Sequence, residues 1–448
     1  MEDYTIAGII TPPGEGGVGI LRLSGRKALA IAGQLFHPYG AAPLAPRVAR
    51  LGRLSFQGEA LDEALVLYFQ APASYTGEDV VEIQCHGSPF ILREALKACL
   101  SLGARQSEAG EFTRRAFLNG RLDLTQSEAV LDTIRARSRG ALAISLNQLQ
   151  GGLKRRIASL REEILSLSAY LEASIDFPDD EIQEAYSKEK LEGSGEKILQ
   201  ELQRLLSTYR EGKILKEGIL TVLAGRPNAG KSSLLNCLLQ EDRAIITDIP
   251  GTTRDALEEE VLLGDLLLRL VDTAGLRETE DPIEELGIRK AQDYLQRAQL
   301  VLYLADGTKG LEEEDEAHLS ALREMEKEYL LVYTKGDLLD KPFPSGPRSL
   351  TVSARDGSGI EELKERIQGL FLGRDTETEA IASLRYYEAL SQGAEALRSF
   401  LQGLEGGLPY DLLSIDLREA WGTLARITGE DYTEDLLEAI FSQFCIGK

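Results

Sequence analysis

The clearest chemistry in the sequence lies in Gly225-Arg226-Pro227-Asn228-Ala229-Gly230-Lys231-Ser232-Ser233. Glycines at this G-x-x-x-x-G-K-[ST] spacing let successive backbone N–H groups turn inward around phosphate oxygens. That places Lys231 on the β- and γ-phosphates of a nucleotide and Ser232 on Mg²⁺. The apolar run Ile219 to Ala224 precedes the loop, and Leu234, Leu235, Leu238 and Leu239 follow at helical spacing. A strand before and a helix after is the context the motif requires.

Further residues point to guanine. Leu266 to Val271 reads as a buried strand that runs into Asp272-Thr273-Ala274-Gly275. In such a D-x-x-G the aspartate can reach Mg²⁺ through water and the glycine amide can meet a γ-phosphate. The polar loop Gly251-Thr252-Thr253-Arg254-Asp255 can supply a threonine hydroxyl to the metal. Leu331 to Tyr333 reads as another strand, ending in Thr334-Lys335-Gly336-Asp337, which resembles the guanine-reading N-K-x-D. Its aspartate accepts from both guanine nitrogens, so adenine would leave a buried carboxylate unpaired. Thr stands here for Asn, which predicts a loop held less firmly. Ser353-Ala354-Arg355 resembles the fifth GTPase motif, with Arg in place of Lys. Residue 276 is Leu, where many signalling GTPases have a glutamine that orients water. An apolar side chain cannot do so, and Glu284 is the candidate in its place.

The elements that must position these residues come from a chain of 448 residues, enough for two or three domains with separate cores. Hydrophobic residues make up 43% and charged residues 27%, ordinary for a folded protein, and the net charge is −23. An acidic chain repels nucleic acid globally, so any RNA contact must be local or arranged by a partner. Cys85, Cys99, Cys237 and Cys445 lie far apart, and only three histidines occur, which argues against zinc and a disulfide framework. No stretch approaches the ~18 apolar residues of a membrane span, and Met1 to Ile10 does not read as a signal peptide. The expectation is a cytoplasmic protein with no membrane partner.

Residues 1–118 read as α+β, with strand-like runs at Tyr4 to Ile10, Gly19 to Leu23, Ala64 to Phe69 and Val80 to Ile83. The glycines at 14, 16, 17 and 19 lead into a strand rather than a helix, so they form a turn and not a dinucleotide fingerprint. Ser74 to Gly87 and Glu111 to Arg121 are unusually polar; for each charge taken singly, a solvated surface is the simpler reading. Helical spacing governs 119–212, where Arg135, Arg137, Arg139, Lys154, Arg155, Arg156 and Arg161 form either a tRNA-binding patch or the charged face of two helices. The GTPase unit occupies 213–373 and helices resume over 374–448. A domain is thus inserted into a helical bundle built from two chain segments, with hinges expected at Gly212-Lys213 and at Leu372 to Asp375.

Taken with Thr11-Pro12-Pro13-Gly14, Gly110-Glu111-Phe112, Arg115-Ala116-Phe117-Leu118-Asn119 and the final Cys445-Ile446-Gly447-Lys448, the chain resembles the MnmE (TrmE) family of tRNA-modification GTPases over its whole length. The resemblance implies a multidomain α/β and α+β protein: an N-terminal folate-binding, dimerising domain, the two-segment helical domain, and an inserted Ras-like P-loop GTPase domain. It implies that a tetrahydrofolate derivative, in its 5-formyl or methylene form, contacts Arg22, Glu82, Arg121 and Lys448. It implies Mg²⁺ on Ser232 and Thr253, K⁺ on Asn228, Thr247, Ile249 and Thr252, and GTP along Thr247-Asp248-Ile249-Pro250 as well. It implies a homodimer working on tRNA with a flavoprotein, MnmG, which carries the FAD, to place an aminomethyl-type (carboxymethylaminomethyl) group on C5 of the wobble uridine at tRNA position 34. Glu284 would orient water, and Cys445 would serve the modification chemistry. The alternative is a regulatory or ribosome-assembly GTPase switch, which would have no use for a folate pocket.

Overall fold

The computed structural model describes residues 4–41, 43–176, 188–242, 258–272, 292–343, 345–372 and 380–448. The chain divides into two compact units. One comprises Met1–Leu131, Gln148–Ile198 and Gln392–Lys448, and the other Asp132–Asn147 and Leu199–Ser391.

The first unit is built on a seven-stranded sheet of β1 (Ile6–Ile9), β2 (Gly16–Ser24), β3 (Phe36–Pro38), β4 (Arg50–Phe56), β5 (Glu59–Phe69), β6 (Val80–Gly87) and β7 (Arg105–Gln106). The order is β3-β4-β5-β6-β2-β1-β7, with only the β1–β7 pair parallel. As expected, the glycine run enters a strand, β2. Alternation sends Leu21, Leu23, Val81 and Ile83 into a core under α1 (Ala28–Leu35) and α2 (Pro89–Ser101), and so sends Arg22 and Glu82, directly opposite in register, to the other face.

The helices of this unit are α3 (Glu111–Leu118), most of α4 (Leu124–Arg135), the end of α5 (Arg139–Leu149), α6 (Gly152–Asp176) and part of α7 (Lys188–Ser207), before a long gap in sequence. After that gap come the end of α12 (Leu384–Glu405), α13 (Tyr410–Thr428) and α14 (Glu434–Phe441). Buried Ile157, Leu160, Ile164 and Leu171 recur at helical spacing along α6, which packs on α13 through its Leu413, Leu417, Ala420 and Leu424. The bundle is therefore assembled from two separate chain segments. Phe117 and Leu124 share a core with Leu437, Phe441 and Phe444, which fixes α14 against the end of α3.

The second unit holds a six-stranded sheet of β8 (Ile219–Gly225), β9 (Glu258–Leu263), β10 (Leu266–Asp272), β11 (Leu300–Asp306), β12 (Tyr329–Thr334) and β13 (Ser349–Thr351), ordered β13-β12-β11-β8-β10-β9. All neighbours are parallel except the β9–β10 pair. Its central strands are apolar runs because both faces are covered, one core gathering Leu223, Leu268, Leu302 and Val332 and the other Val222, Val301 and Tyr303. The surrounding helices include α8 (Tyr209–Glu217), α9 (Lys231–Asp242), α10 (Glu313–Glu324) and α11 (Ile360–Phe371). The expected hinge at Gly212-Lys213 is corrected here: both residues lie inside α8, and Gly212 is packed so that a Cβ would fall 2.3 Å from the Ile381 carbonyl. The helix ends five residues later at Gly218, which has φ +76°. The other expected hinge lies mostly outside the described residues. Among the described residues no helix is long and apolar enough to cross a membrane.

Candidate functional site

Two constellations carry chemistry, one in each unit. In the second unit, β8 ends at Gly225, whose φ is +136° and whose Cβ, were there one, would meet the Leu304 carbonyl at 2.2 Å. Only glycine lets the loop leave the sheet there. Asn228 and Gly230 also have positive φ, +66° and +88°. The loop then becomes the first turn of α9, where free N–H groups and the helix dipole favour an anion. Lys231 is buried, and its ammonium donates to the Gly225 and Arg226 carbonyls at 2.8 Å each, so it lies across the loop it serves. Ser232 and Ser233 are exposed, and the Ser232 hydroxyl donates to Asp272 Oδ2 at 3.2 Å. A hydroxyl and a carboxylate in contact, both hard oxygen donors, suit a small divalent cation such as Mg²⁺.

The base-reading side is ordered by its own hydrogen bonds. Asp337 Oδ1 accepts from the Ser353 hydroxyl at 2.9 Å, and the Arg355 guanidinium stands 3.6 Å from Oδ2. Ala354 lies between those two holders of the carboxylate. Lys335 has φ +60°, and its ammonium meets Asp306 Oδ2 at 2.6 Å. Burial pushes the Asp306 carboxyl up, but hydrogen bonds from Lys335 and Thr308 outweigh it and hold the group below the usual carboxylate range. The expectation of a loosely held loop at Thr334 is overturned, since its buried hydroxyl lies 2.8 Å from the Ala229 carbonyl and 3.2 Å from that of Ala305. Acidic residues that sequence reasoning passed over also brace the site. Arg226 of the phosphate loop pairs with Glu312 and Glu314 at the start of α10, and Glu312 and Asp315 cap that helix reciprocally. The acidic run Glu312 to Glu316 is the signal that could have exposed the pairing.

Several expected site residues, namely Thr247, Asp248, Ile249, Pro250, Gly251, Thr252, Thr253, Thr273, Ala274, Gly275 and Glu284, lie outside the described residues, as do Arg254 and Leu276.

The second constellation lies on the open face of the first unit's sheet. Arg22 donates from Nε and Nη2 to Glu82 Oε1 at 3.0 and 2.8 Å. Its guanidinium sits over the rings of Tyr75 and Phe112, 5.1 and 5.5 Å from their centroids. Both aromatics belong to the polar stretches noted above, and their proximity in space was the missing signal. The C-terminal tail reaches the same place: Ile446 bridges to Ala109, and the Phe112 N–H donates to the Lys448 main-chain oxygen at 3.1 Å. Burial, then the positive charge of Arg22, holds the Lys448 ammonium below the usual lysine range. Cys445 is exposed, and its carbonyl accepts from the Lys448 N–H at 3.3 Å. Arg22, Glu82 and Lys448 therefore come together. Arg121, more exposed, joins them at the rim by donating to the Ser74 carbonyl at 3.1 Å, one residue from Tyr75. Three cations, a carboxylate and two aromatic rings make a set that fits a flat heterocycle bearing carboxylates.

The solvated reading is corrected for Glu78, Asp79, Glu111 and Arg115, while Arg121 and His86 are exposed. Arg115, buried, donates to Glu78 and Glu111, Glu78 also takes the Ser24 hydroxyl, and Asp79 takes that of Tyr68. The basic concentration in the helices is largely spent within the chain: Arg137 on Glu260, Lys154 at 3.6 Å from Asp123, Arg155 on the Gln150 carbonyl, and Arg161 on Glu430 and over the Trp421 ring. Its reading as a charged helix face is the one this geometry favours.

Comparison with known proteins bears on both constellations. Residues 5–121 match the family described as GTP-binding protein TrmE N-terminus, and residues 124–445 the MnmE helical domain. Similar curated proteins include the tRNA modification GTPase MnmE of Moorella thermoacetica, 44% identical over 467 residues with all of both chains covered. The same-named proteins of Heliobacterium modesticaldum and Symbiobacterium thermophilum are also 44% identical, over 469 and 459 residues, again with full coverage of both chains.

Proposed function

The chain belongs to the MnmE family, and we propose on that premise that it is the GTP-hydrolysing subunit of a tRNA-modifying complex. The observation that carries the GTPase half is the meeting of Lys231, Ser232 and Asp272 at the ends of parallel strands, with Asp337 oriented by Ser353 on the same side of the sheet. Lys231 and the loop amides bind the β- and γ-phosphates, and Asp337 accepts from guanine N1–H and N2–H. Ser232 and, through water, Asp272 would hold Mg²⁺ together with Thr253, and the ion would neutralise phosphate charge. Asn228, Thr247, Ile249 and Thr252 would hold K⁺, and Glu284 would orient the attacking water. Glu284 would thus take the water-orienting role that Leu276 cannot fill.

The other half of the reading is a one-carbon donor, a tetrahydrofolate derivative, on Arg22, Glu82, Arg121 and Lys448. The product would be the carboxymethylaminomethyl-type group on C5 of the wobble uridine. Tyr75 and Phe112 would flank the heterocycle, the cations would take the folate carboxylates, and Cys445 would stand beside the reacting carbon. The family resemblance extends this to a flavoprotein partner, to tRNA and to action in the cytoplasm. Pairing of two copies is supported by exposed apolar side chains on the first unit's sheet, where Leu51 and Leu65 oppose each other in register and Val18 is 57% exposed. We keep 1–118, 119–212, 213–373 and 374–448 as the functional division. The deciding experiment is a calorimetric titration of the full chain with 5-formyltetrahydrofolate and with GDP. Saturable binding of both supports the reading, and binding of GDP alone would favour a switch protein.

A further inference from the structure

Guanine presents two donors, N1–H and N2–H, and two acceptors, O6 and N7, along its edges. Asp337, with two carboxylate oxygens, can take only the donors. Reading an acceptor needs an N–H or O–H from the protein, and the side chains of Thr334-Lys335-Gly336-Asp337 offer two sources, the Thr334 hydroxyl and the Lys335 ammonium. A hydroxyl owns a single proton. That of Thr334 faces two backbone carbonyls, Ala229 at 2.8 Å in the phosphate loop and Ala305 at 3.2 Å at the end of β11. The side chain is 5% exposed, and a Cβ on Gly230 would stand only 3.4 Å from it. A proton withdrawn from those carbonyls would leave buried acceptors unpaired. The Lys335 ammonium is committed to Asp306 at 2.6 Å.

We propose that Thr334 is a positioning residue that clamps the phosphate loop to the guanine loop, and that guanine is selected by its donor edge through Asp337 while N7 goes unread. An asparagine amide brings two N–H donors and an acceptor to the same place, enough to hold a loop partner and also give a proton to N7. The Thr for Asn exchange keeps the mechanical half of that role and gives up the recognition half. Specificity against adenine survives, because Asp337 alone rejects a base that lacks both donors.

This inference rests on the reading of the pocket as a guanine-nucleotide site, and the test separates the two. GDP, 7-deaza-GDP (carbon for N7) and IDP (no N2 amine) are titrated by calorimetry into the full chain with Mg²⁺. In the native protein 7-deaza-GDP should bind within ~2-fold of GDP, and IDP at least ~5-fold more weakly, since one half of a hydrogen-bonded charged pair is lost. Thr334→Asn should open a gap of ~5-fold or more in favour of GDP over 7-deaza-GDP, and Thr334→Ser should leave the two equal. Thr334→Val should weaken both by the same factor. Native 7-deaza-GDP binding ~10-fold below GDP would overturn the inference while leaving the guanine site intact. No binding of GDP at all would remove the site itself, and an unchanged ratio in Thr334→Asn would show that residue 334 does not face N7.

Discussion

Gly447 is the residue on which docking of the C-terminal tail should turn. Its φ is +97°, and a Cβ there would lie 2.1 Å from the Ile9 carbonyl oxygen and 3.0 Å from the Ile10 Cα. A left-handed conformation costs an L-residue ~1–2 kcal/mol before any clash. The contacts that hold the tail include the Phe112 N–H to Lys448 oxygen bond and the Ala109–Ile446 bridge, worth ~0.5–1.5 kcal/mol each. Strain alone therefore matches them, and the clash with backbone exceeds them, so Gly447→Ala should lift the tail. The reporter is the Phe112 amide, which lies in the first turn of α3, where no intrahelical acceptor exists. Its protection depends on Lys448, and hydrogen exchange at that amide should quicken ~2–10-fold in the variant, the equivalent of the bond energy lost. Gly103→Ala is the control, since it has φ +98° with nothing within 4 Å of a Cβ and probes backbone strain without the tail. Unchanged Phe112 exchange in Gly447→Ala, with the melting temperature also unchanged, would refute the reasoning.

Arg22→Ala should weaken 5-formyltetrahydrofolate by ~10-fold or more, the scale of a charge-assisted hydrogen bond, and Arg121→Ala by a comparable or greater factor. Equal affinity of variant and native protein in calorimetry, with GDP binding as the fold control, would remove those assignments. Because burial and Arg22 keep the Lys448 ammonium below the usual range, the unfolded chain binds the extra proton, so tail docking should strengthen as pH rises through the lowered value. Binding of a carboxylate ligand should do the reverse and take up a proton, measurable as a buffer-dependent calorimetric enthalpy; no buffer dependence on the alkaline side would count against it. His86 is raised by its hydrogen bond to Asp62, while the same bonds outweigh burial and lower Asp62. The pair should therefore stabilise most between roughly pH 4 and 6.5, losing the His share as pH climbs through the raised value and the Asp share as it falls through the lowered one. An NMR titration should show Asp62→Asn returning His86 to its ordinary range. GTP turnover should be faster in KCl than in NaCl at equal ionic strength, with Asn228→Ala erasing the difference, and equal rates in the two salts would count against a K⁺ ion at Asn228.

The sequence was most legible where backbone geometry dictates residue type. Gly225, Gly230 and Lys231 could be placed because a phosphate loop permits few alternatives, and the long helices could be read because burial repeats along α6 at helical spacing. It was least legible where one side chain answers to a distant one. Arg22 and Glu82 are sixty positions apart, and nothing local to either marks the partner; only the antiparallel register of β2 on β6 brings them face to face. The seven cations at 135 to 161 left two readings open for the same reason: nothing local shows where their counter-charges lie, and Asp123, Glu260 and Glu430 supply them from remote positions. Gly212 was misread as a hinge because glycine is ambiguous in one dimension: freedom to bend and room for a neighbour call for the same residue, and only the Ile381 carbonyl packed against it decides between them.

Thr334 shows how such ambiguity resolves when atoms can be counted. As a letter it is a departure from an asparagine motif and predicts a weaker loop. As a group it has one proton and faces two carbonyls, and the loop is held. The loss falls instead on the base, because each donor a protein spends on itself is withdrawn from its ligand. The same count applies at Glu82, whose Oε1 already receives both Arg22 bonds. A heterocycle bound there must therefore address Oε2, the oxygen that Arg22 leaves unused, unless Arg22 turns away toward the ligand's own carboxylates. Glu82→Gln separates the cases. If Arg22 stays, the amide oxygen keeps the Arg22 bond while Nε2 loses the ligand's donor, and folate affinity should fall. If Arg22 is drawn off, the amide can present its oxygen to the heterocycle and affinity should be nearly kept. Loss of an order of magnitude or more in 5-formyltetrahydrofolate affinity would fix Arg22 on Glu82 in the complex, and retention would mean that the pair opens as the ligand arrives.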